Sequence, residues 1–116
     1  MNKGDNDHFD VICLGRAGVD LYADQIGSRL EDVSSFSKYI GGSSCNIAAG
    51  SSRLGLKTSM LTRVGDDQMG RFIREQLERE GVDVSHVKSD PQRLSGLVLL
   101  GIKDRESFPL LFYREN

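Results

Sequence analysis

Short apolar runs alternate with helical periodicity along this chain, and together they predict alternating strands and helices. Residues 9–14 form an apolar run that ends at a glycine, which is typical of a buried strand. The clearest helical pattern covers residues 67–80. Its apolar face comprises Met69, Phe72, Ile73 and Leu77. Asp66 or Asp67 can cap the start of this helix, and Gly81 can end it.

A second helix is predicted over residues 45–54, with Gly55 as its end. Its apolar side is expected to carry Ile47, Ala48 and Leu54. The helix is rich in small residues, so it can pack closely against a sheet or a ligand. Before it, residues 16–20 are expected to form a turn, and residues 21–39 show no helical period and predict short strands or a loop. Residues 57–64 predict the next strand.

The C-terminal part of the chain predicts a hairpin. Residues 82–87 form a short strand or turn, and residues 94–102 and 107–114 form two strands around a charged turn. Strands and helices that alternate at this spacing favour an α/β domain with a largely parallel sheet.

Composition narrows the class of protein. The 116 residues suffice for one domain, and 17 acidic against 15 basic side chains give a net charge of −2, with no basic excess for nucleic acid. No apolar run is long enough to predict a membrane helix. Two isolated cysteines give no disulfide framework and favour a reducing cytoplasm. Residues 1–8 are polar and predict a disordered leader, not a secretory signal.

The glycines, cysteines and histidine outside the leader match no familiar cofactor-binding or catalytic motif. The glycines at positions 15 and 18 do not have dinucleotide-binding spacing, which disfavours a Rossmann dehydrogenase. Cys13 is predicted to pack in the core, and His86 is predicted to be structural. Cys45 lies at a helix start, where a thiol pKa can fall, but no partner base accompanies it.

The most informative segment is Gly41-Gly42-Ser43-Ser44-Cys45-Asn46, at a predicted helix start. Two glycines allow a ligand to approach the backbone, and the amides of the first helical turn point outward. Asn46 can both donate to and accept from sugar hydroxyls. The alternative is an ordinary glycine-rich loop with Ser43 or Ser44 as the N-cap, and local residues alone leave both open.

Asp20 shifts this balance toward a ligand site. It follows the first strand by a short turn, at the sheet edge where α/β proteins bind ligands. An ionised carboxylate can accept from two adjacent hydroxyls of a polyol. Read alone, however, Asp20 is more typical of an aspartate in a surface turn.

Taken with their spacing, these residues resemble the PfkB/ribokinase family of carbohydrate kinases. The matching positions are Gly41, Gly42, Asn46, Ala48, Gly55 and Gly65, and Asp20 matches the early sugar-binding aspartate of the family. Ser44 departs from the pattern, which usually has Gly, Ala or Pro there. The resemblance implies a ribokinase-like, Rossmann-type three-layer α/β/α fold. Residues 9–116 would be its N-terminal portion.

The resemblance also implies an activity and an architecture for it. Family members transfer a phosphoryl group from ATP, with Mg²⁺, to a primary hydroxyl of a sugar. A β-strand lid is expected within residues 21–40 and 94–114, and in many members the lid pairs to form a homodimer. The catalytic aspartate of the family lies in a Gly-Ala-Gly-Asp motif that nothing in these 116 residues matches. We therefore assign no catalytic or metal-binding residue here and expect this chain alone to lack kinase activity.

Three stretches, residues 15–23, 39–50 and 108–116, resemble a subgroup that acts on a sugar acid. In that subgroup Arg114 would bind the substrate carboxylate through a bidentate guanidinium, and Arg16 is a further candidate. The expected substrate-binding residues are thus Asp20, Gly41, Gly42, Ser43, Asn46 and Arg114. Kinases for another sugar acid, fructose or a nucleoside remain alternatives, as does a non-catalytic sugar-binding or oligomerisation module.

Overall fold

The computed structural model describes residues 8–102, 104 and 108–113. Residues 1–7 of the predicted leader, and Arg114, lie outside the described residues. The elements in chain order are β1 (Val11–Leu14), β2 (Gly18–Ala23), a 3₁₀ turn (Leu30–Asp32), β3 (Phe36–Gly41), α1 (Ser43–Arg53), β4 (Thr58–Gly65), α2 (Gln68–Arg79), β5 (Val87–Asp90), β6 (Gly96–Leu100) and β7 (Leu110–Tyr113). Among the described residues, no helix is long and apolar enough to cross a membrane.

The first sheet is parallel, as the alternation of strands and helices predicted. Its strand order is β1-β4-β5, with Cys13 opposite Met60 and Thr62 opposite Val87. Both helices pack on it and share one hydrophobic core. The buried members of that core are Cys13, Val19, Cys45, Ala48, Met60, Val64, Ile73, Leu77, Val82 and Val87. The predicted apolar face of α2 and the packing role of Cys13 are confirmed.

The predicted apolar side of α1 is partly wrong. Ile47 and Leu54 are exposed, while Cys45, Ala48 and Ala49 are buried. The reason is that α1 packs against β1 and β4 through its small side chains, which leaves its bulky residues on the outer face. The expectation of close packing therefore holds, although two of the three residues chosen for it do not take part.

The second sheet is mixed, with strand order β3-β2-β6-β7. β2 runs parallel to β6 and antiparallel to β3, and β6 and β7 form the predicted hairpin. The expected turn at residues 16–20 is wrong in its second half, because β2 begins at Gly18. The alternation of Val19, Leu21 and Ala23 with polar side chains was the available signal for this strand.

The two faces of the first sheet differ. The helices cover one face, whereas Ile12 and Leu14 on the other face are 60% and 76% exposed. The described residues therefore form two layers of the expected three-layer fold.

Asp67 joins the two sheets. Its carboxylate accepts from Gly70 N at 2.7 Å, which caps α2, and from Ser95 N at 3.0 Å and Ser95 Oγ at 2.9 Å, just before β6. Gly65 N, at the end of β4, donates to the same Ser95 hydroxyl at 2.9 Å. Burial alone would raise the pKa of Asp67, but these hydrogen bonds outweigh it and lower the pKa below its usual value. These hydrogen bonds attach the start of β6, in the second sheet, to the end of β4, in the first sheet.

Candidate functional site

Protein atoms crowd both glycines at the junction between β3 and α1. A Cβ on Gly41 would overlap the carboxylate of Asp20, and a Cβ on Gly42 would overlap the carbonyl oxygen of Arg16. Gly42 also has a φ of +101°, a backbone conformation that favours glycine. The two glycines thus allow the carboxylate of Asp20 to lie directly against the start of α1.

Neither serine caps α1. The N-cap is Gly42, which provides no side-chain hydrogen bond, so the N-cap interpretation of Ser43 or Ser44 is wrong. The hydroxyl of Ser44 instead donates to the carbonyl oxygen of Leu14 at 2.9 Å and lies against Gly15, where a Cβ would overlap it. Ser44, the departure from the family pattern, therefore attaches the start of α1 to the end of β1.

Asp20 occupies the third position of β2, opposite Tyr39, and not the turn expected from the sequence. Its side chain is half-buried. Desolvation raises its pKa above the ordinary 3.8, and no hydrogen bond from a described residue offsets this. A carboxylate that the described part of the chain leaves without a donor is available to accept from the hydroxyls of a ligand.

A concave pocket of about 650 Å³ brings four of the predicted site residues together. Its lining includes Arg16, Asp20, Gly41 and Gly42, next to the end of β1. This volume suits a small polyol or sugar acid. The pocket is the centre of the candidate site.

The other predicted site residues lie elsewhere. Asn46 is exposed in the first turn of α1 and lines an adjoining groove of about 850 Å³, which Asp20 also borders. Ser43 is exposed at the start of α1 and lines neither space. Arg114 lies outside the described residues. The structure thus connects Asn46 with Asp20 but leaves Ser43 at the periphery.

Sequence reasoning missed one wall of the pocket. That wall carries Arg63, His86, Lys88, Asp90 and Arg93. His86, predicted to be structural, is exposed and lines the pocket. Arg63 directly precedes the Val64-Gly65 junction, at the strand end where ligand-binding side chains accumulate in α/β proteins. The position of Arg63 at this strand end could have indicated from the sequence that it borders the pocket.

Cys45 is not an activated thiol. It is fully buried, and desolvation raises its pKa to about 11 in spite of its place near a helix start. The described residues also include no group of three His, Cys, Asp or Glu side chains able to hold a metal ion.

Residues 8–115 match the model of the pfkB family of carbohydrate kinases, and the chain belongs to that family. It is 45% identical over 109 residues to a 5-dehydro-2-deoxygluconokinase of Geobacillus thermodenitrificans, covering 93% of this chain and 32% of the relative. A 5-dehydro-2-deoxygluconokinase of Listeria innocua is 40% identical over 117 residues, covering 100% of this chain and 36% of the relative. The chain thus spans about a third of the length of these curated relatives.

The fold of this chain is similar to solved structures of sugar kinases and PfkB proteins. A PfkB protein from Polaromonas has a TM-score of 0.86 at 36% identity, covering 93% of this chain and 36% of its own. A sugar kinase from Pyrococcus horikoshii, solved in complex with ATP, has a TM-score of 0.82 at 34% identity, covering 89% of this chain and 33% of its own. The fold is therefore ribokinase-like α/β.

Proposed function

We propose that this chain provides the sugar-binding part of an ATP-dependent kinase that phosphorylates 5-dehydro-2-deoxygluconate, the substrate class named by its curated relatives. The observation that carries the proposal is the carboxylate of Asp20. It lies against the uncapped Gly41-Gly42 turn, at the pocket, with no donor among the described residues. Asp20 would hold adjacent hydroxyls of the sugar, and Asn46 would donate and accept at its other side.

In the proposed reaction, the oxygen of a primary sugar hydroxyl bonds to the γ-phosphorus of ATP. The bond from that phosphorus to ADP breaks, and the hydroxyl proton passes to a base. We assign that role to no described residue, and we expect Mg²⁺ to arrive with the nucleotide. The part of this chain is to bind and orient the sugar, which is a large share of phosphoryl-transfer catalysis.

We infer that the second sheet acts as a lid over the pocket. The family resemblance predicted a lid within residues 21–40 and 94–114. The strands of this sheet, β2, β3, β6 and β7, lie within or next to those segments. Closure would exclude water from the transferred group. All four side chains of β7 are exposed, which supports a homodimer formed through this sheet. We place the enzyme in the cytoplasm, where ATP is supplied, and expect neither a nucleic-acid nor a membrane partner.

The test is a substrate panel on the full-length kinase, with MgATP and 5-dehydro-2-deoxygluconate, 2-keto-3-deoxygluconate, fructose and adenosine. We expect the first compound to have the highest kcat/KM. Asp20→Asn should lower that value by about 100-fold, because it replaces a charged acceptor of two hydroxyls. Asp32→Asn, an exposed carboxylate paired with Arg29 outside the pocket, is the matched control. Preference for a neutral substrate, or equal activity of both variants, would contradict the proposal.

A further inference from the structure

Three cations converge on one wall of the pocket, and we call Arg63, Lys88 and Arg93 the cation cluster. Arg63 on β4 and Lys88 on β5 are direct partners in the parallel register. Their side chains therefore leave the same face of the sheet, next to each other. Like charges at paired positions repel, so this arrangement gives the sheet itself no stability.

One carboxylate of this wall lies near the cluster and cannot neutralise it. Asp90 is 17% exposed, with Oδ2 at 3.9 Å from Arg63 Nη1 and 4.0 Å from Arg93 Nε. Both distances exceed a hydrogen bond. The other oxygen of Asp90 accepts from the backbone N–H of Gln92 at 2.9 Å. Three cations against one carboxylate leave an excess of two positive charges, on three exposed side chains that line the pocket.

Asp20 and the cation cluster border the same space with opposite chemistry. The carboxylate of Asp20 accepts from hydroxyls, whereas guanidinium groups donate to anionic oxygens and match them in pairs. Asp20 also shares the pocket with the glycine turn, which leaves the cluster as a separate recognition element. A ligand that satisfies both elements carries hydroxyls and an anionic group.

We propose that the cation cluster binds an anionic group of a ligand in this pocket. Two groups have the required chemistry, the carboxylate of the sugar acid and a phosphate of the nucleotide. The identity of both ligands rests on the function proposed above. A competing explanation is that acidic side chains of further protein cover this face, where Ile12 and Leu14 are also exposed. The experiment is designed to separate these cases.

Arg63→Gln and Lys88→Met are made in the full-length kinase, with Arg79→Gln as control. Arg79 is exposed in the last turn of α2 and lines neither the pocket nor the groove. The KM is measured for 5-dehydro-2-deoxygluconate, for fructose and for MgATP, and thermal unfolding is followed in parallel. Each cluster variant should raise the KM for one anionic substrate, the sugar acid or MgATP, by about tenfold or more. The control variant should leave all three KM values unchanged.

The pattern of KM values identifies the group bound. If the carboxylate is bound, the KM for the sugar acid rises while those for fructose and MgATP stay constant. If a phosphate is bound, the KM for MgATP rises with either sugar. Unchanged KM values overturn the proposal. A lower unfolding temperature with unchanged KM values also overturns it, in favour of acidic protein on this face.

Failure of the proposed function is distinguishable from failure of the anion site. Turnover by the wild-type protein decides the function, and the ratio of variant to wild type decides the site. If the wild type phosphorylates none of the sugars, calorimetric titration with inorganic phosphate replaces kinetics. Phosphate binding that Arg63→Gln weakens tenfold would keep the anion site while the kinase proposal fails. Equal binding by wild type and variant would overturn the anion site as well.

Discussion

The two junctions that lead from a strand into a helix are built from similar residues but are completed differently. Each has a glycine as the last residue of the strand, Gly41 in β3 and Gly65 in β4. At Gly65, the side chain of Asp67 caps α2 and binds Ser95. The hydrogen-bonding groups at this junction are therefore paired within the protein. At Gly41, α1 starts without a side-chain cap, and the adjacent carboxylate of Asp20 has no donor among the described residues.

We propose that this difference separates a structural junction from a ligand site. Hydrogen bonds lower the pKa of Asp67, whereas desolvation raises that of Asp20. An aspartate whose hydrogen bonds are supplied by the fold stabilises the fold. An aspartate that the fold desolvates without compensation costs stability, and that cost is typical of a residue positioned for function. Five changes test the comparison.

The largest expected effect is that of Gly41→Ala on activity. The new Cβ would overlap the carboxylate of Asp20 and displace it. We expect kcat/KM of the full-length kinase to fall by about 100-fold or more, since a displacement of about 1 Å in a site can cost that much. Gly50→Ala, with no heavy atom within 4 Å of the new Cβ, is the matched control. Equal loss in both variants would contradict a local effect.

Asp67→Ala should produce the largest loss of stability. It removes the cap of α2, worth about 1 kcal/mol, and leaves buried groups of Ser95 without a partner, at a cost of about 1–3 kcal/mol. Denaturant unfolding should show a total loss of about 2–4 kcal/mol. Asp66→Ala, which removes an exposed ion pair to Arg71, should cost less than about 0.5 kcal/mol. Similar losses would show that Asp67 does not join the sheets.

Gly15→Ala should destabilise the protein by about 1–3 kcal/mol, because its Cβ would overlap the hydroxyl of Ser44. Adding Ser44→Gly should recover part of that loss, since the overlapping atoms are gone. The interaction energy of the double-mutant cycle, from unfolding of all four proteins, measures this coupling. Additive effects would mean that the two residues do not constrain each other.

Gly50→Ala should raise stability by about 0.5–1 kcal/mol. Gly50 lies inside α1 with open space around it, so alanine adds helix propensity without a clash. The measurement is the unfolding midpoint. A loss of stability would show that close packing of α1 extends to this position.

The smallest expected effect is a pH-dependent gain from Asp20→Asn. Because the folded-state pKa of Asp20 lies above 3.8, the folded state holds its proton more tightly than the unfolded state. Wild type therefore loses stability relative to the variant as the pH rises from 3.8 through that raised pKa. The unfolding temperatures should coincide near pH 3 and favour the variant at pH 7. A variant that is less stable at pH 7 would mean that Asp20 has a donor in the fold.

Much of the fold was predictable where local pattern and packing agree. The apolar face of α2, the strands β1 and β4 and the hairpin all follow from periodicity and turn residues. The prediction was wrong for Ile47 and Leu54, because which side of α1 faces the sheet depends on how closely the helix packs. It was also wrong for residues 18–20, where glycine and aspartate indicated a turn although the alternation of apolar residues continues into β2.

The sequence by itself determined the α/β class and the membership of the pfkB family, and it singled out Asp20 and the glycine pair as candidates. These depend on residue types and spacings, which are fixed along the chain. Tertiary structure alone decided that Ser44 binds the end of β1, that Asp67 binds Ser95, and that the cation cluster shares a pocket with Asp20. These contacts join residues about 30 or more positions apart, which come together only through the pairing of strands and the packing of helices on them.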